Sequence, residues 1–121
     1  MSLPLLPQHL EAAYEFVRAL PPFSGWRILP HADQIIFTVN RHQSFCGTYE
    51  QIDHEKHEIC ISAKCVGHTD TLVRIMSHEM IHLYQVLKGT APKGDVQHNR
   101  EFRRIADSVC RLHGWDERLY T

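Results

Sequence analysis

The chain has 121 residues, a mass of 14.1 kDa and a formal net charge of -1 with histidine neutral, enough for one hydrophobic core but not for two. Its 43% apolar and 22% charged residues are the balance of an ordinary folded protein rather than a disordered chain. So small a net charge supplies no global field towards nucleic acid or anionic membrane, and no apolar run approaches the roughly 18 residues that span a bilayer. Residues 1–121 therefore read as a single α+β domain. The start, Met1-Ser2-Leu3-Pro4-Leu5-Leu6-Pro7, lacks a basic flank and is broken by prolines, which makes it a poor signal peptide and places the protein in the cytoplasm. Cys46, Cys60, Cys65 and Cys110 form no Cys-x-x-Cys pair. They read as reduced, small buried hydrophobes, with a Cys60–Cys65 disulfide as the lesser alternative.

Leu10, Ala13, Tyr14, Val17 and Leu20 recur at helical spacing and Pro21-Pro22 stops them, which predicts an N-terminal amphipathic helix. Trp26 to Pro30 reads as a brief extended piece or loop. From Asp33 to Asn40 the chain is rich in β-branched and aromatic residues, with Ile35, Phe37 and Val39 on one face, and predicts a strand. A turn at Asn40 to Gln43 leads to a second strand, Ser44 to Ile52, in which Gly47 marks a bulge or a close backbone approach. Asp53 to Lys56 is a polar turn, and His57 to Ala63 is a third strand with Ile59 and Ile61 on one face. The three strands read as an antiparallel meander. A long helix follows from Thr69 to Lys88, with Thr69 as N-cap, Asp70 at the positive end of the dipole and Gly89 as the stop. Asp95 caps the last predicted helix, which runs to His113 before Gly114. The segment from Trp115 to Thr121 carries no clear signal.

The long helix holds His78-Glu79-Met80-Ile81-His82. Residues four apart share a helix face, so His78 and His82 can offer both imidazoles to one metal ion, with Glu79 beside them. This is the pattern of a zinc hydrolase helix, in which a neighbouring carboxylate acts as general base. Leu72, Ile75, Met76, Leu83, Val86 and Leu87 form one apolar stripe, and Glu79 falls in its middle. A carboxylate loses its hydration in such a place, so a metal and a water nearby would account for it.

A catalytic zinc site usually takes three protein ligands and keeps one position open. On the last predicted helix Phe102, Ile105, Val109 and Leu112 define the core-facing stripe, and His98 lies one turn back along it. His98 is the preferred third ligand. Glu101, 19 positions after His82, ranks second. A third histidine following closely behind a helix-breaking glycine is excluded, since Gln85 stands where that glycine would fall and no methionine follows His98.

Gly47-Thr48-Tyr49, Ile59-Cys60-Ile61-Ser62, His78-Glu79-Met80-Ile81-His82 and His98-Asn99-Arg100-Glu101-Phe102 together resemble the successive signatures of the SprT-like, or Spartan-type, zinc metallopeptidase domain. The resemblance covers roughly Ile35 to Leu112. It implies a zincin-like fold with the third ligand on a C-terminal helix, one catalytic Zn²⁺ on His78, His82 and His98, Glu79 as general base, and Glu101 outside the ligand set. Asn99 departs from the glycine common after the third histidine, and the chain ends at Thr121 without the cysteine-rich zinc ribbon of many relatives.

The expected reaction is zinc-dependent hydrolysis of peptide bonds in protein substrates, including DNA-associated ones, with activity falling below about pH 6 as the histidines take up protons. An extended peptide would pair with the second or third strand at a free sheet edge. Tyr49, Tyr84 and Arg100 are the candidates to stabilise an oxyanion. Two other readings stand beside this one: a zinc-containing DNA-binding or regulatory module, and a zinc hydrolase of non-peptide amides. Arg100, Arg103, Arg104, Arg111 and Arg118 crowd the last 22 residues, but Glu101, Asp107, Asp116 and Glu117 interleave with them, so the patch reads first as a solvated helix face, with a weak DNA association as the alternative.

Overall fold

The computed structural model describes residues 4–120, so the expectation about a leader falls partly outside the described residues, as does Thr121. Pro7 opens α1 (Pro7–Arg18) at a position where its missing N–H removes no helical hydrogen bond. Leu10, Ala13, Tyr14 and Val17 are buried along one face, as the spacing predicts. The Tyr14 hydroxyl donates to the Pro30 carbonyl at 2.6 Å and ties the following loop to the helix.

The three strands are β1 (Ile35–Asn40), β2 (Gly47–Gln51) and β3 (His57–Ser62). Their order is β1-β3-β2, with β1 parallel to β3 and β2 antiparallel to it, so the sheet is mixed and the antiparallel meander is corrected. Alternation along a strand specifies which face is buried but not which strand lies beside it. The connection from β1 to β2 passes the end of β3, where the Ser62 hydroxyl donates to the His42 carbonyl at 2.6 Å and the Ser62 N–H to the Cys46 carbonyl at 2.8 Å. With β3 in the centre, the free edges belong to β1 and β2. The third strand is thereby removed as a place for peptide pairing. His57, Ile59 and Ile61 of β3 face the core beside Ile35, Phe37 and Val39 of β1 and Gly47 and Tyr49 of β2, while Gln51 at the end of β2 is exposed. Gly47 begins β2 rather than sitting in its middle.

Cys46 and Cys65 are joined by a disulfide, with their Cα atoms 5.4 Å apart, which corrects both the all-reduced reading and the Cys60–Cys65 alternative. Cys65 lies in the turn after β3, beside the entry to β2. Cys60 sits on β3, where its sulfur accepts a hydrogen bond from Asn40 Nδ2, and Cys110 is buried as a free thiol.

The long helix, α2 (Thr69–Lys88), has the bounds the sequence predicts and touches α1, β2, β3 and the last helix. His68 rather than Thr69 is its N-cap, and Gly89 closes it with φ of 84°, a conformation that costs a side-chain-bearing residue strain. The last helix, α3 (Arg100–His113), starts later than Asp95 would place it. Its N-cap is Asn99, whose side-chain oxygen accepts the Phe102 N–H at 2.9 Å. His98 therefore precedes the helix rather than riding on it, a correction to the C-terminal helix as carrier of the third histidine. Phe102, Ala106, Val109 and Cys110 are the residues α3 buries, while Leu112, expected inside, is 55% exposed. The chain then turns back through Glu117–Leu119 and returns Tyr120 to the core. Among the described residues no helix is long and apolar enough to cross a membrane.

The strand order makes a prediction for amide exchange. A strand paired on both sides bonds all its N–H groups, whereas an edge strand bonds alternate ones. Consecutive amides across His57–Ser62 should all exchange slowly, and those of Gly47–Gln51 should alternate between slow and fast. Uniform protection along β2 with alternation in β3 would instead indicate a meander.

Candidate metal centre

Helical spacing and burial together place the site. His78 and His82 stand one turn apart on α2, and the segment before α3 brings His98 to them, so that one nitrogen from each ring lies within 4.8 Å of the others. The ring centroids of the three pairs are 5.0 to 5.2 Å apart. Phe102 stacks on His98 at 4.0 Å, nearly parallel, and holds the ring from behind. His78 is buried, and its Nδ1 has no hydrogen-bond partner among the described residues. Three imidazoles brought together without an acid between them, one nitrogen orphaned in the interior, are a donor set suited to a divalent cation such as zinc. Burial holds the His78 pKa near 3 and the His82 pKa near 4, with the neighbouring histidines adding to the shift. His98 is also lowered, by burial and then by the Arg103 charge. A proton therefore competes for these nitrogens only well below the ordinary imidazole range.

Glu79 is 5% exposed, as its place on the apolar stripe implies, and burial pushes its pKa up to about 8. It faces β2. A Cβ added at Gly47 would lie 2.8 Å from Ile75 Cγ2 and 2.9 Å from Glu79 Oε2. Gly47 is thus a close approach rather than a bulge: the absence of a side chain lets β2 come up to the carboxylate. The histidines and Glu79 share a cleft of about 580 Å³, lined by Ser44 to Tyr49, by one face of α2 and by residues from Ala91 to His98. A larger cavity of about 1210 Å³ lies between α1, the end of β1 and the start of α2 and holds none of these groups, so chemistry rather than size identifies the site.

Glu101 is brought near the site but turned to another task. Its carboxylate accepts hydrogen bonds from Gln85 Nε2 at 2.9 Å, from the Thr90 hydroxyl and from Lys88 Nζ at 2.9 Å, which hold its pKa down to about 2. Gln85, fully buried, also donates to Asn99 Oδ1 at 2.9 Å, and Asn99 Nδ2 donates to the Thr90 carbonyl. This clamp closes the loop between Thr90 and Asn99 and sets where His98 stands. In the sequence, Gln85 carries no signal of this role. Asn99, three residues before Phe102, has the side chain of an N-cap, which is the local signal for where α3 begins.

The other predicted residues divide. The Tyr49 hydroxyl is 2.6 Å from His57 Nδ1, and burial raises its pKa. Tyr84 stacks on Trp26 at 3.9 Å, and Arg100 is exposed. The C-terminal segment, silent in the sequence, supplies Tyr120, whose ring lies 5.4 Å from His78 and whose hydroxyl shares a 2.7 Å hydrogen bond with Ser77.

A family model described as the SprT-like family matches residues 20–119. The chain belongs to the SprT-like family. The SprT-like match holds all three histidines, Glu79 and the clamp residues, while α1 and Tyr120 lie outside it although both contribute to the core. No curated protein matches the chain.

The two kinds of buried ionisable group act oppositely on the metal-free protein. Unfolded histidine titrates at 6.5 and unfolded glutamate at 4.5. Between about pH 3 and 6.5 the unfolded state binds more protons at the histidines, so their effect destabilises the fold as pH falls; between 4.5 and 8 the folded state holds the Glu79 proton more tightly, so its effect destabilises the fold as pH rises. In urea unfolding of the chelator-treated protein, Glu79→Gln should be more stable than wild type at about pH 8.5, and the gap should close by about pH 5. A gap independent of pH would show that Glu79 is not buried as the structure places it.

Proposed function

We propose that this chain is a zinc-dependent peptidase that hydrolyses peptide bonds in extended segments of protein substrates. The observation that carries the reading is the convergence of His78, His82 and His98 on a cleft that also holds the buried Glu79. Zinc bound there would acidify a water molecule and polarise the scissile carbonyl. His78, His82 and His98 would hold the ion. Glu79, buried beside the three histidines, would take the proton of the attacking water and hand it to the leaving amine. The free edge of β2, beside Glu79, would align the substrate backbone by strand addition. Tyr49 and Tyr84 are committed to His57 and Trp26 and serve this scheme as scaffold.

Glu79→Gln should retain one zinc per chain by elemental analysis while cleavage of an unfolded protein falls by about 10²- to 10⁴-fold. Undiminished cleavage would refute the assignment of Glu79. In the same assays His98→Ala should weaken zinc binding far more than Glu101→Ala, and the reverse order would make Glu101 the third ligand.

One observation favours DNA-associated proteins among the substrates. Arg100, Arg104 and Arg111 fall on one exposed stripe of α3, with Asp107 among them, and have no ion-pair partner among the described residues. Binding to a short DNA should be weak and should fall linearly in log–log plots against salt, with a shallower slope after Arg104→Ala. Salt-independent binding, or none, would remove DNA from the proposal.

A further inference from the structure

We infer that the cleft selects extended peptides carrying apolar side chains at alternating positions around the scissile bond, with Phe45 and Val96 as the gripping residues. The inference rests on the peptidase reading of the site and names the substrate class that reading leaves open.

Two large apolar side chains stand exposed at the cleft, Phe45 at 59% and Val96 at 56%. Ile75, Val86 and Pro92 also line the cleft, together with the polar Ser44, Thr48 and Gln97, and the lining contains no lysine or arginine and no carboxylate except Glu79. Away from Glu79 and the histidines, a charged substrate side chain would lose water and find no counter-charge, whereas an apolar one would cover the Phe45 and Val96 surface that is otherwise wet. Both gripping residues sit on fastened segments. Phe45 adjoins Cys46, which is held by its disulfide to Cys65 and by the Ser62 N–H. Val96 lies in the loop whose ends are joined by the Asn99–Thr90 hydrogen bond and by Glu101. Little ordering is then required when a ligand arrives.

The occupant follows from the sheet. β2 is an edge strand, and the face that carries Gly47 and Tyr49 turns towards α2. A peptide added along that edge would alternate its side chains between the cleft and solvent, because successive residues of a strand point to opposite faces. Every second side chain would therefore point into the cleft that carries Phe45 and Val96, and those between would be unconstrained. Selection of this kind requires an unfolded or extended segment, since a folded surface does not offer alternate apolar residues with a free backbone.

The test uses the zinc-loaded Glu79→Gln chain and fluorescent decapeptides bearing Leu or Phe at alternate positions, with matched peptides bearing Lys or Asp there. Anisotropy should show the apolar peptides binding on the order of tenfold more tightly, and Phe45→Ser or Val96→Ser should each remove most of that preference. Both replaced side chains are exposed, so unchanged thermal unfolding should confirm that the variants fold. Equal binding of all the peptides, absence of binding, or a preference that survives both substitutions would overturn the inference. Preferential binding abolished by the substitutions, together with wild-type protein that cleaves none of the peptides, would support the inference while contradicting the peptidase reading.

Discussion

The burial of one carboxylate governs the arrangement of this protein. Glu79 sits on the side of α2 that packs against β2, and Gly47 allows the strand to approach it without a side chain between. An ionised carboxylate in that position is costly unless it is neutralised by a proton or compensated by a nearby positive charge. The same helix offers His78 and His82 one turn apart on the adjoining face, and the segment before α3 adds His98. The geometry therefore places a potential seat for a cation beside the one buried carboxylate among the described residues, whose charge it would stabilise.

The rest of the fold serves to hold that juxtaposition. α1 and the sheet cover α2, and the Gln85–Asn99–Glu101–Thr90 clamp determines where the third imidazole stands. Glu101 illustrates how a residue of the right chemical type near a site can be spoken for: three donors hold it ionised and occupied. Phe102 and Tyr120 then pack against the rings from behind. These supports lie at the interface of separate segments, so the site depends on the whole fold rather than on the helix alone.

How much of this was legible in the sequence varied with the kind of information each element carries. The periodicity of α2 is local, and its bounds, its buried Glu79 and its histidine pair were all readable from residue spacing. His98 does stand beside His78 and His82, but the helical register that singled it out does not hold, because Asn99 rather than Asp95 caps α3 and leaves His98 outside the helix. Strand neighbours were not readable, because alternation in β1, β2 and β3 reports burial and says nothing of order; the return of the chain past Ser62 decides it. The Cys46–Cys65 bond escaped for the same reason, since it joins segments that only the β2–β3 pairing brings together. Tyr120 was invisible because a lone aromatic near a chain end has no periodic context.

If His78, His82 and His98 together hold one metal ion beside Glu79, anomalous diffraction at the zinc absorption edge from crystals of the zinc-loaded protein should show a single peak at about 2.0–2.1 Å from a nitrogen of each, with no fourth protein ligand. A peak elsewhere, or a fourth protein side chain closing the coordination sphere, would rule this arrangement out.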